Sequence, residues 1–142
     1  MNSLKKYFDH WSEEFSQLTD RREMLEVLIE LGKELPEFPQ GEKTSQNKVP
    51  GCISGVYMST KLEHGKLQFK GYSESLVVRG YVKLLCEGCS NVSPKEFLEH
   101  AEPIIEKFLK ETKISASLVA SRADAFGNVF RFMKEQVHLL TK

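Results

Sequence analysis

The chain predicts an α+β domain: a small antiparallel sheet of two to three strands, flanked by helices. Three observations carry this. Apolar residues recur at helical spacing over 3–18 and in several later stretches. One region, 53–70, instead turns β-prone and alternates apolar with polar side chains. The 142 residues, 40% hydrophobic and without internal repeats or low-complexity tracts, suit one core and one domain spanning 1–142.

Leu4, Tyr7, Phe8, Trp11, Phe15 and Leu18 share one helical face, so 3–18 reads as an amphipathic helix. Asp20 is placed to cap a second helix, with Glu23 completing a capping-box pattern. Leu25, Leu28, Ile29 and Leu35 would give that helix its apolar face, and Pro36 and Pro39 would end it. Residues 36–51 are polar and rich in turn formers, hence a long loop. Ile53 to Thr60 forms a first strand. Lys66, Gln68 and Lys70 alternating with Leu67 and Phe69 form a second, with a hairpin turn at Glu63-His64-Gly65. Ser73 is the expected cap of the next helix, which carries a stripe of Val78, Val82, Leu85 and Cys89 beside Val77, Tyr81 and Leu84. Ser93-Pro94 with Glu96 is a helix start. Pro103, which costs ~3 kcal/mol in a helix interior, predicts a break into helices near 94–100 and 103–111. The last helix is expected from Ser121, with Phe126, Val129, Phe130, Met133 and Val137 on one face.

Lys+Arg and Asp+Glu balance at 20 each, which argues against a nucleic-acid partner. No apolar run is long enough to span a membrane, and no secretory h-region opens the chain, so a cytoplasmic protein is expected. There is no Walker loop, no G-x-G-x-x-G and no G-x-S-x-G. His10, His64, His100 and His138 are scattered, with no metal-ligand spacing. Cys86 and Cys89 form C-x-x-C, but inside an apolar helical stripe and without a second pair. They read as structural, and no metal site is expected.

Cys52 differs. In VPGCISGV it follows Pro50 and Gly51 and precedes Gly55, which can hold a thiol at the apex of a turn. An exposed thiol there is open to chemistry.

Four blocks, in order, resemble the SufE family of sulfur-acceptor proteins: LIELGKELPEFP (28–39), SQNKVPGCISGVYM (45–58), FKGYSESLVVRGYVKLL (69–85) and SRADAF (121–126). The chain differs from the usual pattern at Gly55, Tyr57, Asp124 and Ala125, and KETKISASLVA before Ser121 is longer than usual. The resemblance implies a SufE/IscU-like fold and a non-enzymatic role. Cys52 would accept persulfide sulfur from a cysteine desulfurase, stimulate it, and pass sulfur to an iron–sulfur scaffold. PLP would belong to the desulfurase, with no cofactor on this chain. It further implies Glu106 and Arg122 as residues near the thiol, and a partner-facing surface including Gly51, Gly55, Ser73 and Glu74. An iron–sulfur scaffold of similar fold is the alternative. It would require about three clustered thiolates or substitutes.

Overall fold

The computed structural model describes residues 3–51, 55–112, 114 and 125–141. Among them are five α-helices and one two-stranded antiparallel sheet, an α+β architecture. The helices are α1 (Ser3–Ser16), α2 (Arg21–Lys33), α3 (Leu76–Cys89), α4 (Pro94–Thr112) and α5 (Ala125–Leu140). The strands are β1 (Val56–Glu63) and β2 (Lys66–Ser73).

Central to the core is α3, where Tyr81, Val82, Leu84, Leu85 and Cys89 are all fully buried. Against it pack α2 on one side and β2 and α5 on others. α1 lies on α4 through aromatic edges, with Phe8 and Phe15 meeting Phe108 at 5.2 and 6.2 Å between ring centroids. Lys83 is nearly buried in α3, and its charge is paired with Glu87 at 2.7 Å and Glu34 at 3.7 Å. The same Glu87 accepts a hydrogen bond from Tyr7 Oη of α1.

The Asp20 cap forms as expected, its carboxylate accepting from Glu23 N at 2.9 Å. Glu23 reaches back to the N–H of Thr19 at 2.7 Å. The buried face of α2 is rotated from the expected one: Met24, Leu28, Leu31 and Gly32 turn inward. The cause is Gly32, which meets Gly80 of α3 at a helix crossing too tight for side chains. A Cβ on Gly32 would come within 2.6 Å of Arg79 Cβ. The loop after α2 is not wholly polar in role, because Phe38 and Val49 are buried and pin it to the core. It contains two short 3-10 turns, Gln40–Glu42 and Ser45–Asn47.

The hairpin turn is His64-Gly65, with both residues at positive φ (54° and 77°) and Glu63 paired to Lys66. That is the backbone twist a two-residue hairpin requires. Leu67 and Phe69 face inward as the alternation predicts. β1 runs on past Thr60 to Glu63, while Ile53 lies outside the described residues. Both sheet edges are covered, as open edges invite wrong pairing. β2 is met by the turn after α3, with Leu67 N donating to Val92 O at 2.8 Å and Asn91 N donating to Leu67 O at 2.7 Å. β1 is met by residues 48 and 49 and by α5.

Two local expectations are corrected. Ser73 does not cap α3. It still pairs with Val56 in the sheet, and the chain leaves the strand only afterwards, so Ser75 is the cap and accepts from Val78 N. Nor does Pro103 divide α4, which is one helix. The carbonyl that Pro103 frees, on Glu99, lies on the exposed face where water can satisfy it. The turns on either side are held by burial of Phe97, Ala101, Ile105 and Phe108. Ser93 caps α4 as expected, accepting from Glu96 N. The apolar face expected for the last helix is buried throughout, although its expected start at Ser121 lies outside the described residues.

Candidate functional site

Cys52 and Arg122 lie outside the described residues, but the chain on either side of Cys52 is firmly placed. Val49 N donates to Val56 O at 2.8 Å, and Lys48 bridges to Tyr57. Backbone pairing therefore closes the base of the segment that carries Cys52. Pro50 and Gly51, leading into that segment, are exposed. On its far side, Gly55 O accepts from Glu74 N at 3.1 Å, which carries the β1–β2 register one pair beyond Val56 and Ser73. The Glu74 carboxylate lies over Gly55, about 3.3 Å from where a Cβ would stand. The expected neighbourhood of the Cys52 segment and the Gly71–Glu74 turn thus holds at Gly55 and Glu74.

Within that turn the residues divide. Glu74 is exposed. Ser73 is fully buried, its hydroxyl accepting from Ser75 N, so it shapes the turn and offers no surface. Gly71 is buried as well. Arg79, one turn into α3, ties the turn down: its Nε donates to Ser73 O at 2.7 Å. Leu76, at the start of α3, leaves 51% of its surface exposed beside Glu74. Glu106 is exposed on α4, and its carboxylate makes no hydrogen bond or ion pair with another described residue.

The last helix supplies the other supports. Gln136 Nε2 donates to Met58 O at 2.8 Å, and Thr60 Oγ1 donates to Gln136 Oε1 at 2.6 Å. Gln136 also reaches Asn47 Oδ1, while Asn47 Nδ2 donates to Glu42 O. Asn128 Nδ2 donates to Gly51 O at 3.3 Å. A cleft of about 240 Å³ opens here, lined by Pro50, Gly51, Asn128, Arg131, Phe132 and Glu135. Of these supports, Asn47 and Arg79 sit inside the quoted sequence blocks, so the blocks contained the signal. Asn128, Arg131 and Gln136 lie on a helix whose polar positions show no pattern to single them out.

Cys86 and Cys89 are buried free thiols. Burial pushes both thiols far above their usual range. Cys86 spends its S–H on Met58 Sδ at 3.7 Å, joining α3 to β1. Neither is poised to react or to ligate. Cys89→Ala is expected to cost about 1 kcal/mol or somewhat more through the cavity it leaves. It should leave modification of Cys52 unchanged; a chemical denaturation curve and an alkylation time course check both. Among the described residues no three His, Cys, Asp or Glu side chains cluster to hold a metal ion. None of the described helices is long and apolar enough to cross a membrane.

Comparison with known proteins bears on the family and the fold. The Fe-S metabolism associated domain, SufE, matches residues 9–137. An uncharacterized SufE-like protein of Synechocystis is 36% identical over 122 residues, covering 86% of this chain and 74% of its own. The sulfur acceptor protein CsdE of Escherichia coli is 33% identical over 110 residues, covering 77% of this chain and 73% of its own. The cysteine desulfuration protein SufE of Plasmodium falciparum is 31% identical over 112 residues, and the match takes in 43% of that longer protein. A hypothetical protein of Thermus thermophilus, solved in solution, superposes with a TM-score of 0.71 over 96% of this chain and 97% of its own. At 21% identity it supports the fold alone. The chain belongs to the SufE family, the Fe-S metabolism associated domain.

Proposed function

We propose that this protein is a sulfur acceptor for a cysteine desulfurase, with Cys52 as the carrier thiol. The observation that carries the reading is the contrast among its cysteines. Cys86 and Cys89 are locked in the core, while the segment that carries Cys52 leaves from a base pinned at Val49–Val56 and Gly55–Glu74, with exposed Pro50 and Gly51 leading into it. The names of the relatives, a sulfur acceptor and cysteine desulfuration proteins, point the same way.

The transfer is thiol exchange on a persulfide. The Cys52 thiolate attacks the outer sulfur of the desulfurase persulfide. The bond between the two sulfurs of the partner breaks, the partner's cysteine leaves as a thiolate, and the outer sulfur keeps its proton on Cys52. One S–S bond is exchanged for another, so no oxidant is needed. PLP chemistry stays on the desulfurase, and this chain turns over no substrate by itself. The sulfur then passes to an iron–sulfur scaffold. A cytoplasmic setting, reducing enough to keep Cys86 and Cys89 as thiols, goes with this role. The scaffold alternative is disfavoured by burial, because iron ligands must be thiolates and both core thiols are held protonated. Arg122 and Glu106 remain proposed neighbours of the thiol on family resemblance.

The test is incubation with a cysteine desulfurase, PLP and cysteine, followed by intact mass and peptide mapping. A gain of one sulfur on Cys52 is expected; no gain, or gain elsewhere, would refute the proposal. The docking face in this reading joins Gly51, Gly55, Glu74 and the exposed Leu76, with Arg122 added by resemblance. Glu74→Arg keeps the backbone bond to Gly55 but reverses a rim charge, which acts on encounter and partner choice more than on chemistry. It should change desulfurase affinity or stimulation while Cys52 alkylates normally. Lys5→Glu, on α1, is the distant control. Equal small effects of both on the binding curve would remove Glu74 from the face.

A further inference from the structure

We infer that Asn128 and Arg131, on the last helix, are positioning residues for the acceptor segment: they hold the Gly51 peptide, which immediately precedes Cys52, against α5. The inference deepens the sulfur-acceptor reading and rests on it for its catalytic readout. Three observations support it.

Asn128 Nδ2 donates to the Gly51 carbonyl, the group directly bonded to the nitrogen of residue 52. Gly51 has φ +81°, and a Cβ there would stand 3.2 Å from the same Nδ2. The Asn128 amide therefore stands close against residue 51, whose backbone conformation glycine adopts without strain. Arg131, one turn along α5, donates from its guanidinium to Asn128 Oδ1. This third contact fixes which way the amide faces. A guanidinium has only donors, and a carbonyl only lone pairs. Turning the amide over would set NH2 against the guanidinium and oxygen against the Gly51 carbonyl, two repulsions in place of two bonds. Arg131 thus orients Asn128, and Asn128 orients Gly51.

The other anchors that flank the Cys52 segment, Val49–Val56 and Gly55–Glu74, come from the hairpin and its flank. The α5 anchor is a neutral bond at an exposed position, so it adds little to global stability. Its effect is directional, and a small misplacement of a reacting group can cost far more in rate than in stability.

Asn128→Asp separates these effects. It keeps the size and the bond to Arg131, but presents only an acceptor to the Gly51 carbonyl. Two readouts use the full chain. One is the iodoacetamide rate at Cys52, followed by intact mass, in which the buried Cys86 and Cys89 stay silent. The other is desulfurase turnover as the acceptor concentration is varied. Asn128→Asp and Asn128→Ala should alkylate about threefold or more faster, because the chain entering Cys52 is no longer pinned at Gly51. Their kcat should fall about three- to tenfold, with KM for the acceptor within about twofold and an unchanged melting temperature. Arg131→Met should act in the same direction, and Arg131→Lys should restore wild-type behaviour. Wild-type rates in the Asn128 variants would overturn the inference. A rise in KM alone would also overturn it, by making Asn128 a docking contact. If the wild-type protein accepts no sulfur, the functional proposal falls, while the alkylation rates still decide the role of Asn128.

Discussion

Replacing Cys52 by serine is expected to abolish sulfur acceptance and to leave the melting temperature where it is. The first half follows from nucleophilicity. Exchange at a persulfide needs a thiolate, and an ordinary thiol near pKa 8.5 already supplies a few per cent of one at pH 7. A serine hydroxyl supplies no comparable anion. The second half follows from position. The flanks of Cys52 are held by backbone bonds, Val49 to Val56 and Glu74 to Gly55, which a side-chain change at 52 does not touch. No other cysteine can take over, since Cys86 and Cys89 are buried and their thiols held protonated. Intact mass after incubation with desulfurase and cysteine reads the first half, and thermal unfolding reads the second. A Cys52→Ser protein that still gains sulfur at the wild-type level would move the carrier role elsewhere. One that loses acceptance together with several degrees of stability would recast Cys52 as structural.

What the sequence revealed, and what it hid, divides along physical lines. Period and caps are local, so the Asp20 and Ser93 caps, the inward faces of β2 and α5, and the hairpin turn were all legible. The structural reading of Cys86 and Cys89 was legible too, because both lie on an apolar stripe. Long-range packing decided the rest. The face of α2 is chosen by contact with α3, which no window of α2 contains. The α3 cap moved from Ser73 to Ser75 because sheet pairing holds Ser73 in the strand. Pro103 was read by its intrinsic cost, yet the freed carbonyl reaches solvent and burial on both sides holds the helix together. Around the candidate site, topology alone predicted that Glu74 would lie beside the Cys52 segment, because the start of one hairpin strand faces the end of the other. The supports from α5 are separated from that segment by more than seventy residues and had no local signature.

The crossing of α2 and α3 predicts a second large effect: Gly80→Ala should destabilise the fold, against helix propensity. In an exposed helix this change gains up to about 1 kcal/mol. Here the added Cβ would fall 2.3 Å from Leu28 O and 2.8 Å from Leu28 C, inside van der Waals contact with backbone. A side chain could rotate aside; the backbone of α2 cannot, except by moving the whole helix. Overpacking of this kind costs roughly 1–3 kcal/mol and occasionally more. With no flexible neighbour to yield, the cost should lie at or above the top of that range, leaving a net loss of about 2–3 kcal/mol. For a domain of this size that is a melting-temperature drop on the order of 8 °C. Gly41→Ala is the control, since a Cβ there meets nothing within 4 Å, and it should change stability by less than about 0.5 kcal/mol. A Gly80→Ala protein as stable as wild type would show that α2 can slide. The consequence would then shift from stability to function, because the cap of α3, Ser75, directly follows Glu74, and Arg79, the neighbour of Gly80, holds the turn that places Glu74 against Gly55.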